Sequence, residues 1–376
     1  MRYRSRLIVN LSRFSSNIDK VKLLTPKAEI LAMIKADAYG HGAVHLLRFA
    51  FENHSIREFG LATLAEALHL RKELPDLKFE AYVFSDSQIS LAVCQEWYQE
   101  NRIIPVISSL SDLNLFLQSR CFRYFPLVLK FNTGMNRLGI DFNELAEAID
   151  LVKKSGRRHV DHLMTHLANA SLNLSKNKMN IRQVNNFNTI KDEFRSCGIH
   201  IDRTSISNSG AIEQAGDLGE SHIRPGLMLF GPSSLIASQR AGKWTGEMIS
   251  SLETYIIQTY PVQKGTPVGY GASPCPHDGL IAVIALGYGD GLSNRYRGSS
   301  IKHRGFTGKF CGRVNMDMAQ ILFPSQAKGE IRAGERITIW DSDQESFLQL
   351  CDQTETIPYE IFCQLSSRVP RIYRLE

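Results

Sequence analysis

"EILAMIKADAYGHG", residues 29–42, joins a short apolar run to a loop of small and polar residues through a lysine. The run has the continuous apolar character of a strand covered on both faces. An ammonium at its end is costly unless it is paired, open to a cavity, or used chemically. Gly40 and Gly42 let the chain turn before a helical pattern that starts at His41. On position alone, Lys35 reads as a strand-end lysine reaching solvent. The sequence on either side changes that reading.

From Glu29 to about Gly231 the same rhythm recurs, a β-branched or apolar run followed by an amphipathic segment. The candidate strands are "EILAMIK" (29–35), "FGLAT" (59–63), "FEAYVF" (79–84), "RIIPVI" (102–107), "PLVLKF" (126–131), "HVDHLMTH" (159–166), "DRTSIS" (202–207) and "SHIRPG" (221–226). Helical patterns such as "TLAEALHLRKEL" and "NELAEAIDLVKKSG" separate them. Such alternation predicts a parallel sheet, and eight units predict a closed (β/α)8 TIM-type barrel. An open doubly wound sheet is the alternative, and the absence of GxGxxG after the first strand weighs against it. After about Ser234, "LETYIIQTYPV", "LIAVIAL" and "ERITIW" alternate with Gly, Pro and Asp, which predicts a separate, mainly β domain. "QRAGKWTGEM" (239–248) reads as the linker, and "RLIVNL" (6–11) as an extra strand of the β domain. The expected division is residues 11–235 for the barrel and 236–376 plus the N-terminal strand 1–10 for the β domain.

At 376 residues the chain is comfortable for two domains. With 43% hydrophobic and 22% charged residues it is neither disordered nor collagen-like. The net charge of +6 is scattered, so "KKSGRRH" (153–159) reads as a solvated helix end and no nucleic-acid partner is expected. A small anionic ligand remains compatible. The N-terminus has no long apolar stretch and no window is apolar enough to span a bilayer, so neither a signal peptide nor a membrane partner is expected. Seven dispersed cysteines without a CxxC pair fit reduced thiols in the cytoplasm. His41 and His45 have the i, i+4 spacing of a metal pair but lack a third ligand, so they read as helix surface and no metal is expected.

Barrels of this type react at the C-terminal ends of their strands. Lys35 ends strand 1, Arg137 follows strand 5, and His166 ends strand 6. Asn208 and Ser209 follow strand 7, and Arg224 and Gly226 close strand 8. Singly, Ser209 is a helix cap, Gly226 a turn and His166 a core histidine. Together they place a lysine, two arginines and a histidine around a phosphate-binding corner on one rim. A lysine facing a phosphate pocket suggests a Schiff base with pyridoxal phosphate.

With these residues placed, the sequence closely resembles the alanine racemases, fold-type III pyridoxal phosphate enzymes, over essentially its whole length. Nine motifs match in order: "IKADAYGHG", "KFNTGMNRLG", "THLANA", "SNSGA", "RPGLMLFG", "VGYGASP", "ALGYGDG", "GRVNMDM" and "IPYEIFCQLSSRVPRIY". The resemblance implies Lys35 as the cofactor-binding lysine, with Tyr39, Ser209, Gly226, Leu227 and Tyr359 around the phosphate. It implies Arg224 at the pyridine nitrogen, with His166 and Asn208 beside the cofactor. Tyr270 is implied as the second base, Arg137 and Met316 at the substrate carboxylate, and Tyr288 as a neighbour. Asn132 stands where many relatives carry Asp, and Asn315 where cysteine is frequent. Lys130 matches a lysine that some relatives carry as a carbamate.

The implied reaction takes the α-proton from one face of a small amino acid and returns one to the other, with Lys35 and Tyr270 as the two bases. Both titrate near pH 10, so each must be acidified by about 3 kcal/mol to act near neutrality. A cationic network through His166 and Arg224 is the expected means for Tyr270. The resemblance also implies a homodimer in which Tyr270 completes the partner's site, and D-alanine supply for peptidoglycan as the role. The alternatives are racemisation of serine or a basic amino acid, a decarboxylase of the same fold type, and a non-catalytic pyridoxal phosphate carrier.

Overall fold

In the computed structural model, which describes residues 3–236, 238 and 244–375, two sheets divide the chain. Residues 239–243 of the expected linker lie outside the described residues. The first strand, β1 (Ser5–Asn10), does not enter the barrel. The barrel strands are β2 (Glu29–Met33), β3 (Glu58–Thr63), β4 (Glu80–Asp86), β5 (Ile103–Ile107) and β6 (Val128–Asn132). After the two-residue β7 (Ile140–Asp141), which pairs only with β6, come β8 (His159–Met164), β9 (His200–Ser205) and β10 (His222–Ile223). Their order is β10-β2-β3-β4-β5-β6-β8-β9, all parallel. All eight runs picked out in the sequence are therefore strands of one nearly closed barrel.

The seam between β9 and β10 has no continuous ladder. One parallel bridge, Asn208 to Arg224, joins it, with the Arg224 N–H donating to the Ser207 carbonyl at 2.9 Å. Below that point side chains replace backbone pairing. Glu220 Oε2 accepts the N–H groups of Ile206 and Ser207, and the Ser221 hydroxyl accepts that of Thr204. Leu31, Tyr82, Ile104, Val106, Val128 and Met164 fill the barrel interior. Buried helix residues such as Leu46, Leu70, Phe116 and Ile190 cover the outside. Each such side chain contributes about 1.5–3 kcal/mol.

The second domain is built on β11 (Ser250–Val262), followed by β12 (Pro267–Val268), β13 (Ser273–Pro274), β14 (Gly279–Ile284), β15 (Ser300–His303), β16 (Phe306–Cys311), β17 (Ala319–Pro324), β18 (Arg336–Trp340) and β19 (Arg371–Arg374). Its main sheet runs β15-β16-β17-β14-β11-β1-β19, with β18 also on β11. β11 pairs with β1 and β18 along its first half and with β14 along its second; a bulge between Ile256 and Gln258 bends it from one to the other. β1 lies antiparallel to β11 and parallel to β19. Two helices, Gln344–Gln353 and Pro358–Cys363, break the β pattern, and the second returns to the barrel rim. No helix among the described residues is long and apolar enough to cross a membrane.

His41 departs from the sequence expectation of a helix surface. The helix starts later, at Ala43, and His41 is fully buried. Its ring stacks on Phe230 at 5.0 Å, and its Nε2 pairs with the Ser250 hydroxyl at 2.9 Å. His45 stacks on Tyr373. Among the described residues no cluster of His, Cys, Asp and Glu could hold a metal ion.

Candidate active site

Lys35 leaves β2 into an unusual turn. Ala36, Asp37, Ala38 and Tyr39 all have φ between 52° and 54°, one turn of left-handed helix. Cβ crowding costs such a conformation about 1–2 kcal/mol per residue, so the surroundings must hold it. The Glu66 carboxylate accepts the Ala36 N–H at 2.9 Å, and the Ile34 carbonyl accepts the Ala38 N–H at 2.8 Å. Asp37 Oδ1 accepts the Ala43 N–H at 2.7 Å and so caps the next helix. From β19, Arg371 Nε donates to the Gly40 carbonyl and the Tyr373 hydroxyl to that of His41. Strain held this firmly concentrates at working sites.

The turn faces a cavity of about 970 Å³ on the C-terminal rim of the barrel. Lys35, Tyr39, Lys130, Arg137, His166, Asn208, Ser209, Arg224, Gly226, Leu227 and Tyr359 all line it. Burial first, and then the Arg137 charge, lower the Lys35 ammonium; Glu66 and Cys363 oppose them. Burial, then Arg224, Arg137 and Lys35, push Lys130 down to about 7. His166 is lowered well below its usual range by burial and by Arg224, Lys130, Arg137 and Lys35, so its imidazole is neutral. The Asn208 amide lies 3.5 Å from its Nε2.

At one end of the cavity three hydroxyls and a backbone corner converge. Asn208 caps the helix Ser209–Ala215, and the Ser209 hydroxyl accepts the Gly226 N–H at 2.9 Å. A Cβ on Gly226 would stand 2.5 Å from the Tyr39 hydroxyl, so only glycine leaves this corner open. Burial raises both tyrosines, Tyr359 to about 12, which keeps their hydroxyls protonated as donors. Arg224 crosses the floor, fully buried. It donates to the Ser205 hydroxyl and to the Thr165 and Ile206 carbonyls, none of them a carboxylate. Burial lowers it to about 10, against the Glu220 charge, so it remains a cation.

Three expected residues lie elsewhere. Tyr270 is 71% exposed at the tip between β12 and β13, and Tyr288 and Met316 are about half exposed on the β domain. None lines the cavity of its own chain. Tyr288 and Met316 are neighbours, since the Tyr288 and Gly289 N–H groups donate to the Asn315 and Met316 carbonyls. Sequence reasoning passed over Glu66, although "TLAE" is a capping box: Thr63 caps the helix Leu64–Glu73, and Glu66 reaches back to its start. It also passed over Thr165 and Ser205, which seat Arg224.

Two family models match the chain. The one described as alanine racemase, N-terminal domain, covers residues 9–234, and that described as alanine racemase, C-terminal domain, covers residues 249–373. An alanine racemase of Nitrosococcus oceani is 30% identical over 371 residues, spanning 97% of this chain and 98% of the relative. The structure of alanine racemase from Acinetobacter baumannii superposes with a TM-score of 0.84 at 26% identity, covering 99% of this chain and 100% of that one. An alanine racemase of Bartonella henselae, solved with covalently bound pyridoxal phosphate, has the same fold at 23% identity, with a TM-score of 0.85 over 99% of this chain and 100% of that one. Matched in both halves and along nearly its full length, the chain belongs to the alanine racemase family.

Proposed function

We propose that this chain interconverts L-alanine and D-alanine, using pyridoxal phosphate held on Lys35, as a cytoplasmic homodimer whose sites are shared between subunits and which supplies D-alanine for the cell wall. The observation that carries the reading is the single cavity in which Lys35, Arg224 and the Tyr39, Ser209 and Tyr359 hydroxyls face one another. The barrel, residues 11–235, provides most of this pocket, and the β domain, 236–376 with strand 1–10, adds Tyr359 to it and provides the second base.

The residues fit the cofactor. The open corner at Gly226, with hydroxyl donors and a capped helix start, suits a phosphate. An amine whose basicity burial and Arg137 reduce suits attachment to an aldehyde. The relative from Bartonella henselae carries the group covalently. When bound, pyridoxal phosphate supplies an electron sink that acidifies the substrate Cα–H. Arg224 would present a cation with no proton-accepting atom to the ring nitrogen, which would favour its unprotonated form. Arg137, with Met316 and Tyr288 of the partner subunit beside it, holds the substrate carboxylate.

Lys35 Nζ takes the α-proton of the D-isomer, and the Oη of Tyr270 of the partner subunit takes that of the L-isomer from the opposite face. Burial and then the Arg137 charge shift Lys35 toward its proton-accepting form. His166, held neutral and touching Asn208, is oriented to accept or pass a hydrogen bond. Lys130, near neutrality for the same reason, can take up carbon dioxide as a carbamate and set a negative charge beside Arg137.

Incubating the purified protein with single L-amino acids, and measuring D-isomer against released carbon dioxide, tests the reading. Alanine should give the fastest D-isomer formation. Serine or a basic amino acid turning over faster would reassign the substrate, carbon dioxide release would indicate a decarboxylase, and neither would indicate a carrier. Borohydride reduction should leave the cofactor on Lys35; finding it on another lysine would remove Lys35 from its role.

A further inference from the structure

Two cysteines that take no part in the reaction face each other beneath the hairpin that carries Tyr270. Cys275 follows β13 directly, and Cys311 ends β16. Both pack into one small apolar cluster with Val268, Ile281 and Leu322. The two thiols are close enough for Cys275 to bear on the Cys311 thiol, and Cys275 Sγ donates to the His277 carbonyl at 3.1 Å. Both are free thiols. Their exposure is unequal: Cys275 is 2% exposed, whereas Cys311 is only partly covered.

The hairpin above them is slight. Its strands pair only at Pro267 with Pro274 and Val268 with Ser273, and two further backbone bonds of 2.8 Å tie Cys275 to Thr266 and Gly265. Cys275 therefore sits at the root of the hairpin, while Cys311 belongs to the main sheet. A bond between them would join the two.

We propose that Cys275 and Cys311 form an oxidisable thiol pair, which hydrogen peroxide converts into a disulfide anchoring the root of the Tyr270 hairpin to β16. The Cys311 thiolate attacks one peroxide oxygen, the O–O bond breaks, hydroxide leaves, and Cys311 becomes a sulfenic acid. The Cys275 sulfur then attacks the Cys311 sulfur, the S–O bond breaks, and water leaves. Overall two thiols lose two electrons and two protons, and one peroxide becomes two waters. Cys311 is the thiol an oxidant reaches first, and Cys275 resolves it from behind.

Burial and the neighbouring Cys275 hold the Cys311 thiol above its usual range, against the Gly312 N–H and Arg297, and Tyr260 is the other titratable group at the pair. The reaction is accordingly slow at neutral pH and is best followed under mildly alkaline conditions. The effect of the bond on catalysis rests on the reading of Tyr270 given above; the bond itself does not.

The test exposes the reduced full-length protein to hydrogen peroxide, blocks remaining thiols with an alkylating reagent, and maps peptides without reductant. The expected result is a linked Cys275–Cys311 peptide and the loss of two of the seven thiols, both reversed by dithiothreitol. With Cys275→Ser, Cys311 should stop at a sulfenic acid that dimedone traps. Amide exchange across residues 266–275 should slow in the oxidised protein. Recovery of both cysteines separately alkylated, or of over-oxidised Cys311 beside a free Cys275 in the unaltered chain, would overturn the proposal. Because none of these readouts needs racemisation, a failed cross-link is distinguishable from a failed assignment of Tyr270.

Discussion

Glu66 ties the residue after Lys35 to the end of β3: its Oε1 accepts the Ala36 N–H at 2.9 Å and its Oε2 the Ala62 N–H at 2.7 Å. One carboxylate thus fixes the left-handed turn to the end of β3, and its charge opposes the lowering of the Lys35 ammonium. Ala36 is exposed, so a substitution there changes backbone strain with little change in packing. Ala36→Gly should leave stability within about 1 kcal/mol of the original, since relief of strain and added unfolded-chain freedom offset each other. Ala36→Val should cost about 2 kcal/mol. Urea midpoints measure both, and equal values for the two variants would mean that the turn is not left-handed in solution.

Sharing of the site predicts complementation. Lys35→Ala and Tyr270→Phe chains, each inactive alone, are co-expressed with separable tags. A mixed dimer has one site with both bases and one with neither, so random pairing should restore about a quarter of the original activity. Isolated mixed dimers no more active than their parents would place Tyr270 in its own chain's site or remove it from catalysis.

Arg224 predicts the side reaction. Arg224→Glu gives the ring nitrogen a proton-donating partner and deepens the electron sink. Racemisation should slow while the transamination by-product takes a larger share. The ratio of pyruvate to D-alanine reports this, and an unchanged ratio would detach Arg224 from control of the ring.

Acid should weaken the fold through its buried histidines. Burial lowers His41 to about 4, whereas in the unfolded chain it titrates near 6.5. The unfolded chain therefore binds the proton first, so the contribution is whole above about pH 6.5 and is lost as pH falls toward 4, up to about 3 kcal/mol. His162 and His166 act in the same direction. Urea midpoints should fall through this window, and less steeply for His41→Gln. Parallel slopes for the two proteins would show that His41 does not carry its share.

The barrel was legible because buried parallel strands read as continuous apolar runs, and its rim because strand ends locate the side chains that face the cavity. Lys35, His166, Ser209 and Arg224 were placed on that rim by this logic alone. The left-handed turn was not legible: in "KADAY" only Asp37 tolerates positive φ readily, and the conformation is imposed by Glu66, Arg371 and Tyr373 from distant segments. His41 was misplaced for a related reason, since its i, i+4 partner suggested a helix that begins two residues later. Glu66 was passed over because one of its oxygens serves a residue thirty positions away.

The barrel's eight strands leave one join unlaced, and the residues that fasten it, Asn208 and Arg224, belong to the proposed cofactor site. The site is thus also the clasp of the scaffold. A ligand gripping the Ser209–Gly226 corner and the Arg224 floor would draw β9 and β10 together, so filling the pocket and locking the cylinder become one event.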